Sequence, residues 1–436
     1  VSVQAPVADA PSLRLSLERI RRALLWLLVF SGAVVFIEPS PYEFMFFITV
    51  GAFIICGLRI DRTILSLFIL QLLFNLGGAF SLVPFLDRPA SVTFVIVSFY
   101  LGLTAVFFAA IMHEHTEARL EIIRKAWIFG ALLASACAVA GYFGIAGTAD
   151  LFTRYGRAAG TFKDPNVFGP FVMVPAVLLI QGFMTGSIKR PILALVALSV
   201  LLTGIFLSFS RGAWGVTLAS CLLTGALLFV TTRSQRTRLR ILIMSIVGLA
   251  VTAAAVAAAL TIDVVRETFE IRFALAHEYD VGPQGRFGKL ADAILLLLER
   301  PNGVGPLRFA DYFPEAPHNV YVNAFASYGW LGGLSYLCLI AVTLRLGWST
   351  VWRRTPWQCV YIALWSATFC QILQGLTIDT DHWRHLWLLI GLTWGLAAVA
   401  RSDAPSRGLS GRGYRNDAAN SPPQVRSRVP VVKKFA

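Results

Sequence analysis

The segment Arg22-Ala-Leu-Leu-Trp-Leu-Leu-Val-Phe-Ser-Gly-Ala-Val-Val-Phe-Ile-Glu-Pro-Ser-Pro41 decides the fold. Four arginines (Arg14, Arg19, Arg21, Arg22) precede the charge-free run Ala23 to Ile37. That run stops at Glu38-Pro39-Ser40-Pro41, and another apolar run begins at once. No small-x-small cleavage site follows, so the stretch reads as an uncleaved membrane span rather than a signal peptide.

The pattern repeats outward along the chain. Apolar runs of span length, separated by short polar punctuation, fall near 22–38, 42–58, 63–82, 91–112, 126–146, 166–184, 191–208, 212–230, 241–262, 321–344, 357–377 and 385–400. A hydrocarbon core of about 30 Å requires about 20 such residues in a helix. With 56% apolar residues, 14% charged residues and a mean hydropathy of +0.68, a water-soluble domain could not hide so much apolar surface. The expected fold is an all-α polytopic membrane protein of about twelve transmembrane helices.

Charge sets the expected orientation. One set of connectors holds Arg59/Arg62, Arg119/Arg124/Lys125, Lys189/Arg190, Arg233 to Arg240 and Arg345/Arg353/Arg354, together with both termini. The positive-inside rule makes this set cytoplasmic. The 1–21 segment and a basic, Ser/Pro/Gly-rich tail at 401–436, read as disordered, then flank a membrane domain at 22–400. The other face receives the 147–165 segment, Arg211, Asp379/Asp381 and one long loop at 263–320 between spans nine and ten. Within that loop Phe287, Leu290, Ile294, Leu297 and Leu298 recur at helical spacing, as in an amphipathic helix on the membrane surface or an ordinary packed loop helix.

The net charge of +14 lies between apolar runs and in the tail, which fits topology and membrane lipids and not nucleic acid. The six cysteines sit inside apolar runs without a CxxC, so neither a disulfide framework nor a thiolate metal site is expected. No Walker-type loop, HExxH or GxSxG is present.

Three segments carry the chemistry on the outer face: Arg154 to Asn166, Ser208-Phe-Ser-Arg-Gly212, and Pro317-His-Asn-Val-Tyr321. Arg211 lies in a very tight turn, so its guanidinium is held at the interface. It either snorkels to water or captures an anion, for which a planar multi-donor group suits phosphate. Arg154, Arg157, Lys163 and Arg286 invite the same reading beside a solvated one. If they converge they would form a diphosphate site. An unperturbed imidazole, with its pKa of ~6.5, suits proton transfer near neutrality, which makes His318 a candidate, although a lone histidine is more often a structural hydrogen-bonding residue and His277 and His382 share its face. Asp379-Thr-Asp381 forms a DxD, which serves as a metal ligand pair in some glycosyltransferases and is a frequent accident elsewhere; no metal is expected here.

The set Gly160-Thr-Phe-Lys-Asp-Pro-Asn166, Ser210-Arg-Gly-Ala213, Gly285-Arg286, Pro301-Asn-Gly-Val-Gly305 and His318-Asn-Val-Tyr321 followed by Gly329-Trp-Leu-Gly332 resembles the O-antigen ligase and polymerase family of bacterial inner-membrane glycosyltransferases. The resemblance spans residues 90 to 345, with the pieces in the family's order. It implies a GT-C-like fold and a metal-independent, cofactor-free transfer of a glycan from an undecaprenyl diphosphate carrier to a glycan or lipid A core acceptor, on the periplasmic face. By the same resemblance Arg211 and Arg157, with Arg154 as the competitor for the latter's place, would bind diphosphate. His318 and Arg286 would be catalytic, and Asn319, Tyr321 and Asn166 supporting. Tyr328 stands where relatives commonly carry an acidic residue. Ligase, repeat-unit polymerase and protein O-glycan ligase share these residues. A transporter or flippase is the alternative outside the enzyme class, although no internal repeat of the kind transporters show is visible.

Overall fold

The computed structural model describes residues 10–37, 39–273, 286–313 and 316–402. Twelve long helices coincide with the twelve apolar runs. They are α1 (Ala10–Ser31), α2 (Pro41–Ile55), α3 (Arg62–Leu82), α4 (Pro89–Ala110), α5 (Thr116–Tyr142), α7 (Pro165–Thr185), α8 (Pro191–Leu207), α9 (Arg211–Thr231), α10 (Gln235–Ala259), α13 (Val320–Val351), α14 (Gln358–Gln374) and α15 (Arg384–Ser402). Shorter helices α6 (Ala149–Phe152), α11 (Asp263–Phe273) and α12 (Arg286–Leu298) lie in connectors, as does a minimal hairpin of β1 (Thr153–Arg154) and β2 (Arg157–Ala158). Among the described residues seven helices, against the twelve spans expected, are long and apolar enough to cross a membrane, and α2 and α8 are apolar but shorter.

The residues that punctuate the apolar runs also start the helices. Ser40, Asp61, Asp164, Ser210, Ser234 and Asn319 each accept a hydrogen bond from a first-turn backbone N–H, and Pro41 and Pro165 occupy first-turn positions that have no N–H to satisfy. Helix starts in lipid need this, because an unpaired donor there finds no water.

Several helices extend beyond the expected spans: α1 begins at Ala10 rather than residue 22, and α10 at Gln235 rather than 241. Thr116 rather than residue 126 begins α5, so Arg119, read as a connector charge, is 2% exposed inside the bundle. It is tolerated because its guanidinium donates to Ile111 O at 2.6 Å and to Glu114 Oε2 at 3.1 Å, while Arg21 reaches the same carboxylate at 3.3 Å above the Phe53 ring. Burial works against the charge on Glu114, but the two arginines hold its carboxyl below the ordinary carboxylate range. At its far end α13 runs on to Val351.

Small residues set the close contacts, as expected where lipid leaves packing to drive association. Gly77 and Gly332 bring α3 and α13 together with no room for a side chain, and Phe74 stacks on Tyr328 at 4.0 Å. Gly391 and Gly395 lay α15 against Ala105 and Ala109 of α4, and α15 is buried from His385 to Ala400.

Helix α7 carries Pro170 and Pro175 in its interior. Pro175 has no N–H to give the Phe171 carbonyl, and the Trp127 indole of α5 donates to that carbonyl instead, at 3.2 Å. Trp127→Phe should therefore cost about 1–3 kcal/mol, the price of one buried acceptor left unpaired. A lowered thermal unfolding midpoint in detergent, with unchanged helical content, checks this.

Candidate functional site

The β1–β2 hairpin turns through Tyr155 and Gly156, both at positive φ, and pairs Arg154 with Arg157. The two arginines therefore leave the hairpin differently. Arg154 folds back on its own loop, donating to Asp150 O at 2.7 Å and Thr153 O at 2.8 Å. Arg157 turns inward and is 6% exposed, with Nε donating to Ser208 O at 2.7 Å and Nη2 to Asn166 Oδ1 at 2.8 Å. The segment between them and α7 is pinned to the bundle: Thr161 bonds the Ala33 carbonyl, and Val35 N–H donates to Thr161 O at 2.9 Å.

Arg157 thus ties the start of α7 to the turn between α8 and α9. In that turn Phe209 is buried at φ 44, a left-handed conformation that costs a bulky residue about 1–2 kcal/mol. Ser210 caps α9, and Arg211 sits exposed at its first position. Gly212 packs against the end of α14: a methyl there would lie 2.9 Å from Gln374 Nε2.

The same end of α14 holds the third segment. Asn319 caps α13 by accepting from Tyr321 N–H and Val322 N–H, and donates to Leu376 O at 3.2 Å. Val320 N–H donates to Gly375 O at 2.8 Å, and the Tyr321 hydroxyl donates to Ile372 O at 2.8 Å. His318 precedes this clamp at φ 44, half-buried. Arg157, Asn166, Arg211 and His318 are in this way linked through residues 208–212 and 372–376 at one end of the bundle. Asn319 and Tyr321 spend their polar groups on backbone and position the segment. Arg286 begins α12; its side chain, Gly285 and His277 lie outside the described residues.

The loop helix is a packed one. Leu290, Ala293 and Leu297 face Val304, Phe309, Val322 and Ala326, while Ile294 and Leu298, expected on the same face, are 48% and 60% exposed on another. Beyond it, Pro301-Asn-Gly-Val-Gly305 docks on a kink in α13. Val304 N–H and Gly305 N–H donate to Ala326 O, Trp330 N–H donates to Pro301 O at 2.8 Å, and the Trp330 indole donates to Leu297 O at 2.8 Å. Gly329 makes the kink with φ 65 and ψ −172, which only glycine adopts freely.

Sequence reasoning missed a second group beside this cluster. A cavity of about 840 Å³ opens between the outer loops and helices α1, α2, α4, α5, α7, α13 and α15, with Pro317 and Val167 in its wall next to His318 and Asn166. Its polar side is Asp379, Asp381, His382, Arg384 and His385. Arg384 is paired with Glu43, Nε to Oε1 at 3.0 Å. His382 faces Asp381 Oδ2 at 3.1 Å through Nδ1, donates through Nε2 to Phe94 O at 3.1 Å, and stacks on the Phe94 ring at 4.0 Å. Asn323 lies 3.5 Å from Asp381 Oδ2, and the Trp387 indole donates to Asp381 O at 2.6 Å. The only signal in the sequence was the DxD followed by histidine. No group of three His, Cys, Asp or Glu able to hold a metal is found among the described residues.

Burial alone would depress His382, but the Asp381 carboxylate, the Phe94 carbonyl and Asp379 outweigh it and raise its pKa above the ordinary imidazole value. A raised folded-state value stabilises the protein fully below the unfolded pKa of ~6.5, and that stabilisation is lost as pH rises through the folded value. The stability difference between the wild type and His382→Gln should therefore be largest below about pH 6.5 and shrink above it, a trend read from thermal unfolding over a pH series.

Fold and site define a multi-pass, all-α membrane protein with a cluster of polar segments at one end of its helices. Residues 194–337, about a third of the chain, match the family model described as O-antigen ligase. Arg211, Arg286, His318, Asn319 and Tyr321 fall inside the matched stretch; Arg154, Arg157, Asn166 and the 379–385 segment fall outside it. No curated protein matches the chain.

Proposed function

We propose that the protein transfers a glycan from a polyprenyl diphosphate carrier, undecaprenyl diphosphate in bacteria, to an acceptor hydroxyl on the periplasmic face of the inner membrane, as an O-antigen ligase or as an O-antigen or exopolysaccharide polymerase. The observation that carries this reading is the meeting of three remote polar segments, bearing Arg157, Arg211 and His318, at one end of a membrane-spanning bundle. The family match supports the reaction class.

The acceptor oxygen attacks the anomeric carbon of the donor sugar, and the bond from that carbon to the phosphate oxygen breaks with its electron pair leaving on the diphosphate. His318 takes the hydroxyl proton. Arg211 and Arg286 stabilise the charge growing on the diphosphate, and need no metal to supply positive charge; Arg157 fixes the turn that presents Arg211. Guanidinium groups suit this leaving group by planar, multi-donor geometry, and their effect is strongest where water is scarce.

Gels of surface polysaccharide and of lipid-linked intermediates, taken from a strain lacking the protein, test the reading. Loss of a polymerase leaves single repeat units, and loss of a ligase leaves long chains stranded on their carrier. Unchanged glycans of every kind would end the proposal and favour a non-enzymatic reading.

A further inference from the structure

The chemistry of the cavity beside His318 differs from that of the arginine cluster. Among the described residues lining it the one arginine, Arg384, is already paired with Glu43, whereas Asp379 and Asp381 contribute carboxylates. A second dianionic group would meet those carboxylates at short range, where like charges in a poorly solvated site repel strongly. A prenyl tail would press methylenes against Asp381, His382 and His385, stripping water from polar groups without replacing its hydrogen bonds. A neutral molecule rich in hydroxyls meets neither objection, since hydroxyls donate to carboxylates and to a ring nitrogen and also accept from an imidazolium.

Two further features of the wall fit such a guest. His385 is 4% exposed and its Nε2 finds no hydrogen-bond partner among the described residues, although it faces a cavity large enough to supply one. A buried ring nitrogen left without a partner is uncommon and costs stability unless a ligand or water completes it. Flat rings lie about it: Trp383 stacks on His385 at 5.3 Å, Phe171 meets it edge-on at 5.9 Å, and Phe94, Trp127 and Phe162 line other parts of the wall beside aliphatic residues such as Val35, Val97 and Leu101. Apolar faces of sugar rings lie well on such surfaces while their equatorial hydroxyls reach the polar edge. About 840 Å³ lies within the ~300–1,000 Å³ typical of ligand pockets.

We propose that this cavity is the acceptor subsite: it receives the terminal sugar of the acceptor glycan, with Asp381 and His385 hydrogen-bonding its hydroxyls and Trp383 and Phe94 flanking its ring. The inference rests on the glycosyl-transfer reading. It adds where the second substrate sits. Arg211, presented by the turn that Arg157 fixes, takes the donor, and the cavity, whose wall includes Pro317 beside His318 and Asn323 one turn into α13, offers the acceptor. The attacking hydroxyl then arrives next to the imidazole that takes its proton.

The test uses the full chain in lipid nanodiscs and isothermal titration. Two probes are used: oligosaccharides released by mild acid from the producing cell's own surface polysaccharide, and the lipid-linked donor extracted from the same cells. Saturable oligosaccharide binding to the wild type is expected, weakened at least tenfold in His385→Leu and in Asp381→Asn, with donor binding unchanged within twofold. Thr93, an exposed residue in the cavity wall, gives a variant with little risk to folding: Thr93→Trp narrows the space and should weaken oligosaccharide binding likewise. Arg211→Ala should do the reverse, losing the donor and keeping the oligosaccharide.

No oligosaccharide binding to the wild type, equal binding to all three cavity variants, or displacement of the oligosaccharide by farnesyl phosphate would each overturn the acceptor assignment. Failure of the wild type to bind the lipid-linked donor would instead sink the transfer reading itself, whatever the oligosaccharide does.

Discussion

Alanine at Arg211 should lower glycan transfer by about a hundredfold or more while the protein remains in the membrane at its normal level. The residue stands exposed at the first position of α9. Its backbone, by contrast, is fixed by the Ser210 cap, by the Gly212 contact with Gln374 and by the Arg157 bond to Ser208 O. A group held this way is suited to stabilising charge that appears only in the transition state, which is where removing a single donor costs most. Lysine should restore only part of the activity, because it keeps the charge and loses the planar array of donors. His318→Ala should be equally inactive, and the two defects should not multiply if both act in one step. Transfer measured in membranes, with immunoblots for level, decides the matter; wild-type rates in either variant would remove that residue from the reaction.

The largest expected effect on folding is at Gly329. Alanine there would need φ 65 with ψ −172, and its methyl would lie 2.7 Å from Pro301 O and 2.9 Å from Asn302 C. Backbone strain of about 1–3 kcal/mol adds to the cost of pushing the 301–305 loop away from α13. That displacement would break the bonds from Trp330 to Pro301 O and from Val304 to Ala326 O, and uncover the α12 contact with α13. Gly329→Ala should therefore lower the unfolding midpoint and expose the loop to protease. An unaltered midpoint and digestion pattern would mean that the kink does not hold the loop. His318→Ala, which lies in the same segment without occupying the kink, serves as the control for local damage.

Much of this architecture is legible in the sequence because the bilayer fixes the length of each apolar run and the Ser, Asp and Pro breakers fix where helices begin. The polar segments at span ends could likewise be picked out, since charge and imidazole are conspicuous beside so much Leu, Val and Phe. Which residues buried themselves was a different matter. Arg119 reads as a connector charge until Glu114 and Arg21 are seen around it, and Ile294 reads as sharing one helix face with Leu290 and Leu297 until the packing of Leu290, Ala293 and Leu297 is known. Both depend on neighbours remote in the chain. The cavity was invisible for the same reason: Phe94, Pro317, Asp381 and His385 have no common motif and meet only through the packing of α4, α13 and α15. Arg154 and Arg157 are indistinguishable by spacing, and the hairpin turn alone sends one outward and the other in.

The Trp127 bond to the Phe171 carbonyl bears on how the chain is made. A span with two prolines is a poor guest in lipid by itself, because one of its carbonyls faces hydrocarbon unanswered. Its rescuer lies on α5, which leaves the ribosome first and is already in place when α7 enters. Synthesis order and hydrogen-bond order therefore agree, and a circularly permuted chain that made α7 before α5 would insert less efficiently than one that kept the native sequence of arrivals.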